Sequence, residues 1–103
     1  MFLNKYTMTS QLIKLKGYTF MIVPPMRKNK KYSVLIFNTE KDRWDYLLSF
    51  GSSLYEQFKD STKLKLWAHV NHGDNERKRK YYERHGKTND IFTAKYWSNR
   101  FLW

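Results

Sequence analysis

The chain contains no cysteine. Disulfide scaffolds and thiolate zinc sites are therefore excluded, and the absence is compatible with an intracellular or intravirion setting. Only 4 glycines and 2 prolines occur among 103 residues, which is not the composition of a disordered or low-complexity chain. No apolar run approaches the about 18–20 residues that a membrane-spanning helix needs. The nearest, Tyr18–Met26, is broken by Pro24-Pro25. Carboxylates are missing from the first third of the chain. Residues 1–39 carry Lys5, Lys14, Lys16, Arg27, Lys28, Lys30 and Lys31 but no acid, and the first carboxylate is Glu40.

Aromatic residues and positive charge are abundant. Aromatic side chains make up 18% of the residues, and each buries a large area, so a few of them can build most of a small core. The formal charge is +11, from 20 Lys and Arg against 9 Asp and Glu. A domain so far from neutrality is drawn to acidic partners: nucleic acid, an anionic membrane surface or an acidic protein face. The length fits one domain. The acid-free start suggests a basic arm over residues 1–24 that precedes a single domain over 25–103.

The pattern predicts an α+β fold, a small antiparallel sheet followed by short helices. Tyr18–Val23 is aromatic and β-branched and stops at the prolines, as a strand should. Tyr32–Phe37 and Trp44–Phe50 flank the turn-like Asn38–Arg43 and predict a hairpin spanning 32–50. Trp44, Tyr46, Leu48 and Phe50 share one face at period two. Gln11–Gly17 fits either a strand or a short helix. Ser53 with Glu56 has the spacing of a capping box, which predicts a short helix there. Lys63–Trp67 alternates as a brief strand or extended segment would. Asp74 has the character of an N-cap and Gly86 that of a C′ residue, bounding a basic helix over 74–85. Ala94–Trp103 predicts a terminal helix. The expected aromatic anchors of the fold are Trp44, Tyr46, Phe50, Trp67, Trp97, Phe101 and Trp103.

The stretch "HVNHGDNERKRKYYERHG", residues 69–86, concentrates the candidate chemistry. On a helical wheel Arg77, Tyr81 and Arg84 fall together, as do Lys78, Tyr82 and His85. Glu76 with Lys80, and Arg79 with Glu83, are four apart and can pair on a solvated face. The cations outnumber these partners, so the tyrosines can face the core while the basic edge meets phosphates or carboxylates. The candidate contacts are Arg77, Lys78, Arg79, Lys80 and Arg84, with Lys28, Lys30 and Lys31 as a second patch. No helix-turn-helix or zinc-finger pattern is present, so sequence-specific readout of DNA is not expected.

His69, His72 and His85, with Asn71 and Asp74, offer imidazole and carboxylate ligands. A metal-dependent nuclease of the histidine-asparagine-histidine type would need such residues on a hairpin and helix. No hairpin is evident around His69 and Asn71, and a second carboxylate is lacking. The alternative is structural: loop-ordering histidines, with His85 at a helix C-terminus. Neither a Ser or Cys nucleophile constellation nor a phosphate loop is visible. No catalytic residue, metal or cofactor is therefore expected.

Four stretches in order, "PMRKNKKYSV", "SFGSSLYEQFKDST", "HVNHGDNERKRKYYERHG" and "AKYWSNRFLW", resemble a group of small basic proteins of large nucleocytoplasmic DNA viruses. The likeness covers residues 25–103. It departs at Trp67-Ala68, where the group commonly has Tyr-Ser, and residues 1–24 look like an addition. The resemblance implies a setting and not a mechanism. The expected function is a non-enzymatic virion structural protein, a minor capsid or cement protein of the inner capsid face, assembled in the host cytoplasm. Its expected partners are capsid proteins, viral double-stranded DNA, or both, with no small-molecule substrate. The alternatives are a sequence-independent DNA-binding or genome-packaging protein, and the nuclease just described.

Overall fold

A computed structural model describes residues 9–103 of the protein. Four antiparallel strands lie in the sheet in chain order. They are β1 (Gln11–Leu15), β2 (Tyr18–Val23), β3 (Lys30–Asn38) and β4 (Arg43–Ser52). A long irregular segment and a single 3-10 turn at Ala68–Val70 lead to two helices, α1 (Asn75–His85) and α2 (Ala94–Phe101). The arrangement is α+β.

Local chemistry accounts for the strand connections. Leu15 pairs with Tyr18 across a two-residue turn, and Lys16 and Gly17 both have positive φ, 51° and 84°. Such a turn matches the twist of the flanking strands, so Gln11–Leu15 resolves as a strand. Between β3 and β4 the Asn38 side-chain oxygen accepts from the Glu40 and Lys41 backbone N–H groups, an Asx turn. The basic arm expected over 1–24 does not stand apart from the domain. Residues 11–23 are two strands of the sheet and supply Ile13, Phe20 and Ile22 to its core. The rest of the expected arm, residues 1–8, lies outside the described residues.

The predicted period-two face of β4 is corrected by a bulge. Val34 pairs with Leu48, but the next residue of β3, Leu35, pairs with Tyr46. The extra residue, Leu47, reverses the alternation. Leu48 and Phe50 stay with the core, while Tyr46 and Trp44 turn to the opposite face. There Trp44 packs on Phe37 and the Arg27 guanidinium lies 4.0 Å from the centre of the Tyr46 ring.

The core lies between the other sheet face and α2. Trp97 is fully buried, packs edge-on against Phe20 at 5.1 Å and stacks on Phe101 at 5.8 Å. Its indole N–H donates to the Ile91 carbonyl at 2.8 Å. Of the expected anchors, Phe50, Trp97 and Phe101 are buried, and Trp67 and Trp103 pack against the cluster.

The short helix expected at Ser53–Glu56 does not form, and Lys63–Trp67 is not a strand. Residues 53–67 instead follow buried polar contacts. The Asp60 carboxylate accepts from the Tyr32 hydroxyl, the Thr62 N–H and hydroxyl, and the Trp67 N–H. Gln57 donates to the Trp67 carbonyl and to Asn71 Oδ1. Buried polar groups that find several partners hold irregular backbone as firmly as a ladder does.

Candidate anion-binding cleft

The helix α1 begins and ends as its sequence predicts. The Asp74 carboxylate caps the Glu76 and Arg77 N–H groups, and the N–H of Gly86, at φ 70°, returns to the Tyr82 carbonyl. Its two sides then diverge. On the outer side Arg79 is held by two carboxylates, Glu76 and Glu83, each at 2.6 Å. Lys78 lies over the Phe58 ring at 4.5 Å. On the inner side Arg77, Lys80, Tyr81 and Arg84 face a cleft of about 710 Å³. The Glu76–Lys80 pair expected on the wheel is not made, because Glu76 is taken by Arg79.

Four parts of the chain meet around this cleft: the start of β3, the end of β4 with the loop after it, α1, and α2 with the C-terminus. Its cations are Lys30, Lys31, Arg77, Lys80, Arg84 and Lys95. Its one acidic side chain is Glu56, 2.9 Å from Arg77, and that guanidinium holds the Glu56 carboxyl below its ordinary pKa. The floor is apolar, built from Phe50, Gly51, Leu102 and Trp103. Trp103 stacks on Tyr81 with centroids 4.3 Å apart. Tyr81 in turn donates to Asn99 Oδ1 at 2.7 Å, and Tyr82 donates to the Asn99 carbonyl. These contacts fix α1 against α2.

Lys31 is the unusual member. It is 2% exposed, and its ammonium donates to the Tyr55 carbonyl at 2.6 Å. Among the described residues no carboxylate pairs with it. Desolvation lowers its pKa to about 8, against the opposing pull of Asp60 and Glu56. Gly51 makes room beside it: at φ 77° a Cβ there would lie 2.7 Å from Leu102 Cδ1 and 3.1 Å from Lys31 Cβ.

Five of the eight cations singled out in the sequence come together here: Lys30, Lys31, Arg77, Lys80 and Arg84. Lys28 sits exposed in the β2–β3 connection, Arg79 belongs to the outer side of α1, and Lys78 is half-buried over the Phe58 ring, away from the cleft. Lys95, Tyr55 and the Gly51 floor carry no signal in the sequence, since each is an ordinary residue in an ordinary context.

The histidines are dispersed. His69 stacks on Trp67, and His85 packs on Tyr81 at the cleft. The His72 Nδ1 accepts from the Asp74 N–H at 2.9 Å, and burial lowers its pKa. Asn71 is engaged through its side-chain oxygen with Gln57 and the Asp60 N–H. Among the described residues no group of three or more His, Cys, Asp or Glu side chains could hold a metal ion. Likewise, no helix among them is long and apolar enough to cross a membrane. No family model matches the chain, and neither a curated protein nor a solved structure does.

Proposed function

We propose that this protein is a non-enzymatic, sequence-independent binder of nucleic acid that grips the phosphate backbone at the cationic cleft. The observation that carries this reading is the convergence of six cations on one concave surface whose single acidic side chain is already paired. Such a surface concentrates positive potential and draws in a polyanion. The lining offers ammonium and guanidinium groups but no array of donors and acceptors arranged to read base edges, so contacts to phosphate dominate. The virion setting, with genome or inner capsid as neighbour, is supported by the resemblance to proteins of large DNA viruses.

Titration of labelled DNA at increasing salt tests the reading. Affinity should fall steeply with salt, by about 0.7–0.9 in log–log slope for each phosphate contacted. The Lys80→Gln, Arg84→Gln double variant should lose roughly tenfold in affinity. No binding at about 0.15 M salt, or full binding by the double variant, would overturn it.

A second reading, docking on an acidic protein face as a minor capsid or cement protein, draws on Leu54 and Tyr55. Both are 71% exposed, and Tyr55 lines the cleft. An apolar pair beside a basic surface suits a protein neighbour.

A further inference from the structure

The cations of the cleft stand at two depths. Lys30, Arg77, Lys80, Arg84 and Lys95 are exposed and form a rim that any phosphate backbone could touch. Lys31 is set into the wall, 2% exposed, and spends one hydrogen bond on the Tyr55 carbonyl. An ammonium has three donors, so Lys31 keeps capacity for an anion that reaches the interior. Beside it stands Tyr55, whose side chain is 71% exposed and lines the cleft.

Duplex DNA does not suit this shape. Its phosphates lie on a convex cylinder, its bases are stacked inside, and it would meet the rim alone. A cleft of about 710 Å³ is of the size that holds small ligands. A single strand can turn one phosphate inward and lay an unstacked base on an apolar surface. Resting on the phosphate-binding reading above, we infer that the cleft holds a nucleotide unit of single-stranded nucleic acid, with one phosphate on the Lys31 ammonium and the adjacent base against the exposed Tyr55 ring. A phosphate there would take up the donors that the Tyr55 carbonyl leaves free.

The test is fluorescence anisotropy of the full chain with a labelled single-stranded oligonucleotide and with a blunt duplex of the same length, at about 0.15 M salt. The single strand should bind roughly tenfold more tightly. Lys31→Met should erase that preference, weakening single-strand binding about tenfold and duplex binding less than twofold. Thermal melting of the variant accompanies the titration. Should Lys31→Met fail to fold, Tyr55→Ala, which removes the exposed ring and keeps the backbone carbonyl, takes its place in a second titration with the same expected pattern. Equal affinity for strand and duplex, or equal loss for both in the variant, overturns the inference while leaving the phosphate-binding reading standing. Failure of both probes to bind overturns the two together. Binding of a free nucleoside monophosphate as tight as that of the oligonucleotide would assign the cleft to free nucleotides and overturn the strand.

Discussion

The two sides of α1 carry the same kind of residue and differ in what surrounds them. On the outer side Arg79 is neutralised by Glu76 and Glu83, which raise its pKa. On the inner side Lys80 and Arg84 form no ion pair among the described residues and line the cleft with Lys30, Lys31 and Lys95. Charge count therefore does not locate a binding surface. What matters is which cations keep unspent charge, and that depends on where the nearest carboxylates fall.

Four variants separate the two sides of α1 by the size of their effects. The largest effect is expected from Trp97→Ala. It removes the fully buried ring on which α2 and the sheet meet, so both sides of α1 should lose their support. A cost of about 3–5 kcal/mol, read by chemical denaturation, is expected. Retained stability would show that the cleft side does not depend on this core.

Lys31 gives the next largest effect, and its sign is unusual. Its folded pKa, about 8, lies below the ordinary lysine value of 10.5. Below pH 8 both folded and unfolded chains carry the charge, and the folded one bears its burial cost. Between pH 8 and 10 the unfolded chain binds more protons, so stability should rise with pH. The gain should be about 2 kcal/mol once water reaching the ammonium through the open cleft is allowed for. Above pH 10 the tyrosines oppose it, since burial pushes the Tyr81 hydroxyl up to about 12. Lys31→Met should flatten the rise while weakening anion binding. A rise that persists in the variant would assign it to another group.

Asp74→Ala removes the carboxylate that accepts from the Glu76 and Arg77 N–H groups and should cost about 1 kcal/mol. Because the cap orients the first turn, it should affect Arg77 more than Arg84. Charge removal on the outer side comes last. Arg79→Gln breaks two exposed ion pairs, and such pairs contribute about 0.3–0.5 kcal/mol each. Its DNA affinity should stay within about twofold of the parent, whereas the inner Lys80 and Arg84 pair should not. Equal losses on both sides would dissolve the contrast.

Much of the fold was legible because it is local. The Asn38 Asx turn, the Asp74 cap and the Gly86 stop each act within a few residues, whereas the Lys16–Gly17 turn was not read, since Gln11–Gly17 fitted a helix as well as a strand. The wheel also grouped Arg77, Tyr81 and Arg84, and that face is the one on the cleft. Where the sequence misled, long-range contacts prevailed. Ser53 and Glu56 had capping-box spacing, but Glu56 reaches Arg77 instead. The alternation of Trp44–Phe50 was sound in period, but no residue in it announced the bulge at Leu47.

While the order of the strands came from the structure, short-range pattern in the sequence was enough for the α+β character, the hairpin of β3 and β4, the ends of the basic helix and the excess of positive charge. These depend on backbone preferences, periodicity and composition, which operate over short stretches of chain. Only the tertiary structure decided which cations would be spent and which left open. Glu76, Glu83 and Glu56 each chose one arginine, Asp60 was drawn into the core by Tyr32 and Thr62, and Lys31 was sealed into a wall by Tyr55, Gly51 and Leu102. Those outcomes depend on desolvation and on partners far apart in sequence, which no local pattern records.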